Sequence, residues 1–235
     1  MKLRMQITKD KDIRFISHLE YVRTIGRAIR RAKLPAAYSE GFNPHLKFSL
    51  ASALGVGVVS YTEFVEIELA EPMEVEKAAL ALDAALPRGI RVLAADAVDT
   101  HHAALMSQAA GASYRVTLPY SKDVSAAVAE FNAAPKLLFK KAAPKTKAKF
   151  KEMDVKFYIP QLTAEQTEKE TIFSFDCKIT PTGSMKAVDL LNALNEQYGL
   201  ELPVEMADIE RLRLYRNNKN GKPIPMLNSD AVTLG

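Results

Sequence analysis

Three apolar residues at alternate positions, Leu3, Met5 and Ile7, with Lys2, Arg4 and Gln6 between them, predict that the chain opens as a strand with one face buried. Such a face needs helices to cover it. Ser17 and Glu20 supply the first helix start: in the S-x-x-E spacing each side chain satisfies the other residue's orphan backbone N–H, so the helix begins at His18. Pro35 ends it near Lys33. Leu46, Phe48 and Leu50 then alternate with Lys47 and Ser49, a turn follows around LGVG, and Val65, Ile67 and Leu69 alternate with Glu66 and Glu68. A strand pair results. Val75, Ala79, Leu82 and Leu86 recur at helical spacing, Pro87 and Gly89 stop that helix, and IRVLAA gives a last strand. The order is strand, helix, strand, strand, helix, strand.

The same order is legible a second time. Tyr114, Val116 and Leu118 alternate, and Val124, Val128 and Phe131 give a helix. Met153, Val155, Phe157 and Ile159 alternate, as do Phe173, Phe175, Cys177 and Ile179. Ser184 is placed to N-cap a helix carrying Val188, Leu191, Leu194 and Tyr198, and IERLRLYR closes the unit as a strand. The expected fold is α+β, with two tandem ferredoxin-like βαββαβ domains. The expected domains are residues 1–98 and 113–235, joined by a linker over 99–112 and with a Lys-rich insertion and a C-terminal tail in the second.

Composition narrows the function. Among 235 residues, 48% are hydrophobic and 26% charged, no apolar run approaches the roughly 20 residues of a membrane span, and the N-terminus lacks the apolar centre of a signal peptide. A cytoplasmic protein without a membrane partner is expected. Cys177 is the only cysteine, so neither a disulfide nor a thiolate set for an iron–sulfur cluster can come from this chain alone. The four histidines lack an H-x-x-x-H spacing, so no metal site is expected. Charge is uneven: residues 1–50 hold eleven Lys/Arg against four Asp/Glu, and residues 51–112 hold three against nine. An anionic partner for the first segment follows as a hypothesis.

That positive charge gathers on the first helix. With His18, Val22, Ile25 and Ile29 in one apolar stripe, Arg23, Arg27, Arg30 and Arg31 fall on the far side, followed by Lys33 and Lys47. A solvated face is the bland reading. Against it, the face carries no acid after Glu20, so its like charges repel by a few tenths of a kcal/mol per pair, and arginine suits bidentate phosphate contact better than lysine. His18, at the helix start, and His45 are candidate catalytic residues, as an acid/base pair or singly, alongside a purely structural reading. From Lys136 to Lys151 seven lysines, with Lys140, Lys141, Lys145 and Lys147 among them, stand without an acid, as a solvated loop or as a phosphate-tracking arm. Arg211, Arg213 and Tyr215 alternate with Leu212 and Leu214, so one face of the last strand could act as a base-stacking platform. Arg4 with Glu66 and Glu68 on the neighbouring strand argues against a sheet that reads RNA.

The stretch RFISHLEYVRTIGRAIRRAKLPAAYSEGFNPHLKFSLASALGVGVVS resembles the radical-SAM-linked protein family. The likeness is specific through residues 12–70 and looser through PTGSMKAVDLL and IERLRLYR. The motif residues are Ser17 and His18, then Tyr38, Ser39, Gly41, Phe42, Asn43 and Pro44, with His45 and Lys47. Glu20 and Leu46 depart from the family's commoner aspartate and proline. The resemblance implies a companion that binds a radical SAM enzyme's partner or substrate; together with the basic helix and the lysine run it leads to the expectation of a noncatalytic accessory protein that binds RNA, tRNA or rRNA, or presents it to that enzyme. It also implies an iron–sulfur cluster and S-adenosylmethionine on that partner and no cofactor in this chain. A metal-independent endoribonuclease and a protein-only adaptor are the alternatives.

Overall fold

The structure is a computed structural model and describes residues 1–99, 103–142 and 149–234. It is mixed α+β. In chain order come β1 (Lys2–Lys9), α1 (His18–Arg31), β2 (Phe48–Leu50), β3 (Val58–Glu68), α2 (Val75–Ala85), β4 (Val92–Val98) and the short α3 (Leu105–Gln108). Then follow β5 (Gly111–Leu118), α4 (Ser125–Ala133), β6 (Leu138–Ala142), β7 (Phe150–Asp154), α5 (Val155–Tyr158), β8 (Leu162–Gln166), β9 (Thr171–Thr180) and β10 (Gly183–Ser184). Last are α6 (Ala187–Tyr198), β11 (Asp208–Asn217), β12 (Pro223–Pro225) and β13 (Val232–Thr233).

Two compact units hold these elements: Met1–Ala110 with Arg213–Gly235, and Gly111–Leu212. The C-terminal segment therefore belongs with the first unit and not with the second, and the expected linker contains α3. Polar side chains add to the backbone pairing of β13 with β4. The Arg4 guanidinium donates to the Met226 carbonyl at 2.8 Å, and the Asp96 carboxylate accepts from the Asn228 side-chain amide at 2.6 Å. Neither contact leaves a periodic trace in the sequence.

In the first unit the sheet runs β2-β3-β1-β4-β13, antiparallel at every step. Leu3 faces Ile67 and Met5 faces Val65 across the β1–β3 ladder, and all four are fully buried beneath Ile25, Ala28 and Ile29 of α1 and Ala78, Ala79 and Leu82 of α2. Helix α1 starts where the spacing predicts. Ser17 Oγ accepts from the Glu20 N–H at 3.2 Å and the Glu20 carboxylate accepts from the Ser17 N–H at 3.0 Å, completing the capping box. Ser17→Ala is expected to lower stability by about 1 kcal/mol in urea unfolding. The Ser17 backbone N–H also holds the Glu20 carboxyl below its ordinary value. Its contribution is present above the unfolded carboxyl value and is lost as pH falls through the lowered one.

The apolar stripe of α1 is wider than the sequence suggests. Tyr21 is fully buried and Val22 only half-buried, because the Tyr21 hydroxyl donates to the Thr8 carbonyl at 2.6 Å and so carries its polar end into the core satisfied. Burial, with the Glu63 carboxylate second, holds that phenol well above its ordinary range. Gly26 lets Phe48 approach the helix: a Cβ there would lie 3.3 Å from the Phe48 ring. Gly26→Leu should force the ring aside and destabilise the unit by about 1–3 kcal/mol, read as a lower unfolding midpoint.

In the second unit β9 pairs antiparallel with β5, β8 and β10, and β11 lies beside β5. Val116, Leu118, Phe131, Leu162, Phe173, Leu190 and Leu191 form its interior. Of the stretch Met153 to Ile159, only Met153 and Asp154 are strand, at the end of β7. Val155, Tyr158 and Ile159 are buried at helical spacing, and the Asp154 side chain caps α5 by accepting from the Lys156 N–H at 3.1 Å. The strand in that place is β8. Ser184 is not a helix cap either: it pairs with Ile179 in β10, and α6 starts after Lys186 without a side-chain cap. Burial pushes the Cys177 thiol up to about 11, which leaves it protonated and unreactive at neutral pH.

Candidate nucleic-acid interface

The charged side of α1 is open. Arg23, Arg27, Arg30, Arg31 and Lys33 are all exposed, and among the described residues no carboxylate lies within ion-pair distance of any of them. The one acid on their helix, Glu20, has its carboxylate committed to the cap. Arg30 and Arg31 also have backbone partners: Arg30 donates to the Gly26 carbonyl at 3.5 Å, and Arg31 donates to the Ala85 carbonyl, at the end of α2, at 2.7 Å. Neither contact neutralises charge. Burial of Ile25, Ala28 and Ile29 holds the helix in place, so its arginines are not needed for its stability.

The C-terminal end of α1 stores backbone strain beneath a lysine. The Leu34 N–H returns to the Ile29 carbonyl and the Lys33 N–H to the Arg30 carbonyl, a Schellman closure that puts the residue after the cap in the left-handed region. Lys33 holds that place with φ +52°, where glycine is the usual occupant. Lys33→Gly is therefore expected to raise stability by about 0.5–1 kcal/mol while lowering affinity for an anionic partner. Thermal unfolding and a binding titration on the same sample check both signs.

Beyond this end the motif loop forms. Tyr38 bridges to Leu46, the Ser39 N–H donates to the His45 carbonyl at 2.8 Å, and Ser39 Oγ accepts from the His45 N–H at 3.0 Å. Gly41 at φ +109° makes the tip, which needs a residue without a Cβ. Phe42 is fully exposed there and Tyr38 half-exposed, with Asn43, Pro44 and His45 in solvent beside them. Lys47 is spent on Glu68, its ammonium 3.1 Å from the carboxylate.

The two candidate histidines do not form a pair. His18 opens α1 beside the Lys9 end of β1, where the Lys9 ammonium donates to the Ile16 carbonyl. The loop carrying His45 hangs at the other end, where Glu68 faces Lys2 and accepts from the Ala37 N–H. Eight strand residues separate those ends by roughly 23 Å, far beyond the reach of a shared proton transfer.

The last strand is not a basic platform. Arg211 is buried, donating from Nε and Nη2 to the Tyr114 hydroxyl at 3.0 and 2.9 Å. Tyr215 is buried too, with β12 laid alongside it at Pro225. Only Arg213 of that trio is exposed, and it lies over the Tyr215 ring. The alternation fails because Leu214 and Tyr215, which are consecutive, are both covered.

In the Lys-rich segment β6 and β7 pair antiparallel, with Lys140 opposite Glu152 and Lys141 opposite Lys151. Lys140 is exposed, whereas the Lys141 ammonium sits 2.6 Å from the Asp189 carboxylate and is not available to phosphate. Lys145 and Lys147 lie outside the described residues.

A family model described as an uncharacterized protein conserved in bacteria, DUF2344, matches residues 2–189. The chain belongs to this family. No curated protein matches it. Among solved structures, a chain of a Cbf5-Nop10-Gar1 complex is similar over 92% of this chain and 50% of its own length, with a TM-score of 0.51 and 10% identity. The DUF2344 chain thus spans about half of that protein, and the likeness is one of fold. An unknown protein from Galdieria sulphuraria aligns over 90% of this chain and 98% of its own, at 14% identity and a TM-score of 0.25.

Sequence reasoning singled out the α1 arginines and the motif loop, and the structure places all of them on the surface of the first unit. It did not find Phe15, Lys9 or the left-handed Lys33. Phe15 precedes the helix cap, so it contributes to neither apolar period, and a Lys9 buried by carbonyl partners has no sequence signature.

Proposed function

We propose that this DUF2344 protein is an RNA-binding accessory protein whose phosphate-contacting surface is the arginine side of α1, extended by Lys33 and the Tyr38–His45 loop. The observation that carries this reading is a row of exposed guanidinium groups with no carboxylate within ion-pair distance among the described residues. A face meant only for solubility interleaves acids with its bases, and this one does not. Each phosphate contact releases condensed counterions, so affinity should fall steeply with salt.

The resemblance of residues 12–70 supports a partner of the radical SAM class, to which this chain would present tRNA or rRNA. On that reading the cluster and S-adenosylmethionine reside on the partner, and this chain binds and orients the substrate. The strand order of the first unit, β2-β3-β1-β4, and that of the second, β8-β9-β5-β11, support two ferredoxin-like repeats. In the first unit α1 lies with α2 on the buried side of the sheet.

Titration of structured cellular RNA at several salt concentrations, with heparin as the polyanion control, tests the RNA reading. Tighter binding to RNA than to heparin at matched charge supports it. Equal binding of both would reduce the arginine face to a nonspecific polyanion surface and remove the proposal.

A further inference from the structure

Phe15 is a large aromatic ring placed where folding alone has no use for it. It is 69% exposed just before the α1 cap, while the chain takes unusual measures to hold its backbone still. The ammonium of Lys9, itself only 1% exposed, donates to the carbonyls of Arg14, Ile16 and Gly55 at 2.9, 3.1 and 3.3 Å. The Arg14 carbonyl also accepts from the Gly57 N–H at 2.8 Å. Burying a cation is costly unless its donors are all used, and here they clamp two loops on either side of Phe15. The Arg14 guanidinium lies 4.9 Å from the ring centroid, and a Cβ on Gly57 would come within 3.9 Å of the ring edge. A ring so held has already lost most of the freedom that binding would cost it.

At the far end of the same helix Phe42 projects from the Gly41 tip, fully exposed, with Tyr38 half-exposed at the base of the loop. Between the two aromatics run Arg23, Arg27 and Arg30 along a helix of 14 residues, about 21 Å long. Leu19, Arg23 and Arg27 fall in one i, i+4 row, so the row is apolar where it meets the Phe15 end and basic beyond. Charge in the middle with exposed rings at both ends is the pattern that tracks a single strand: cations take the backbone and rings take unstacked bases. A duplex keeps its bases stacked and would leave both rings in water.

Resting on the RNA reading above, we propose that α1 binds single-stranded or loop RNA, with unstacked nucleobases seated on Phe15 and on Phe42 and the intervening phosphates on Arg23, Arg27 and Arg30. The substrate class is an RNA loop or tail long enough to span the helix. Lys9 is a positioning residue for the first base site and touches no RNA itself.

The test compares a short single-stranded RNA oligonucleotide with a blunt RNA duplex of the same length on the full chain, using fluorescence anisotropy at several salt concentrations. The single strand should bind at least about tenfold more tightly. Phe15→Ala and Phe42→Ala should each weaken single-strand binding by about tenfold with the salt slope unchanged, and Phe15→Tyr should keep affinity. Fluorescence of 2-aminopurine placed in the oligonucleotide should change on binding to the parent chain and not to the alanine variants. Both phenylalanines are exposed, so thermal unfolding should show those variants folded. Equal affinity for strand and duplex, with no loss in the alanine variants while Arg23→Gln and Arg27→Gln weaken both, overturns base seating and leaves RNA binding standing. Indifference of binding to every one of these substitutions overturns the RNA reading as well. Loss of a co-purifying protein from Phe15→Ala, with RNA affinity intact, assigns the ring to a protein contact and also overturns the proposal.

Discussion

The triple variant Arg23→Gln, Arg27→Gln, Arg30→Gln should bind RNA on the order of 100-fold more weakly at low salt and stay folded. Glutamine keeps the helix propensity and a polar end while removing the charge, and none of the three guanidinium groups is paired with a carboxylate among the described residues. The core beneath them, Ile25, Ala28 and Ile29, is untouched. Removing charges that repel one another along one helix face should even raise thermal stability by a few tenths of a kcal/mol. The diagnostic quantity is the salt slope. For single-stranded RNA each phosphate contact contributes about 0.7 to the slope of log affinity against log salt, so three lost contacts should flatten it by about 2. A variant that loses affinity with the slope unchanged would show that these arginines act on shape and not on phosphate.

Arg4→Ala should be the most damaging single substitution outside the apolar core. The Arg4 guanidinium donates from Nε and Nη2 to one Glu66 oxygen at 3.2 and 2.8 Å, with the two side chains 3% and 5% exposed, and from Nη1 to the Met226 carbonyl. Truncation leaves a buried carboxylate without its main partner and removes one of the ties to the C-terminal segment, a loss of about 3–5 kcal/mol. Lys2, 3.5 Å from the other Glu66 oxygen, keeps the cost toward the lower figure. The unfolding temperature should fall by roughly 10 °C. Replacing both partners, Arg4→Met with Glu66→Leu, should restore most of that loss, since the pair's cost lies in leaving one member alone. A double variant no better than Arg4→Ala would mean that the tie to Met226 matters more than the ion pair.

The opening helix of the DUF2344 chain was legible from its residues because its signals are local. Ser17 and Glu20 lie within one turn and Pro35 closes the far end, and a capping box works the same way in any tertiary setting. The arginine row follows from the same geometry, since 100° per residue puts Arg23, Arg27 and Arg30 opposite Ile25 and Ile29. Where two periods compete over a few residues the sequence misleads. Met153 to Ile159 alternates as a strand would, yet Asp154 caps a helical turn and the burial of Val155, Tyr158 and Ile159 follows it.

Residue chemistry in this sequence determined the strand and helix order of residues 1–98, the start and end of α1, and the side of that helix on which positive charge gathers, because each depends on neighbours within a few positions. Only the tertiary structure decided that Arg211 and Tyr215 are buried, that Lys141 and Lys47 spend their charge on Asp189 and Glu68, and that residues 213–235 return to the first unit. It also decided that His18 and His45 stand at opposite ends of a strand and that a buried Lys9 fixes the loops that display Phe15. Those outcomes depend on which distant carboxylate, carbonyl or ring reaches a side chain, and separation along the chain carries no record of that distance.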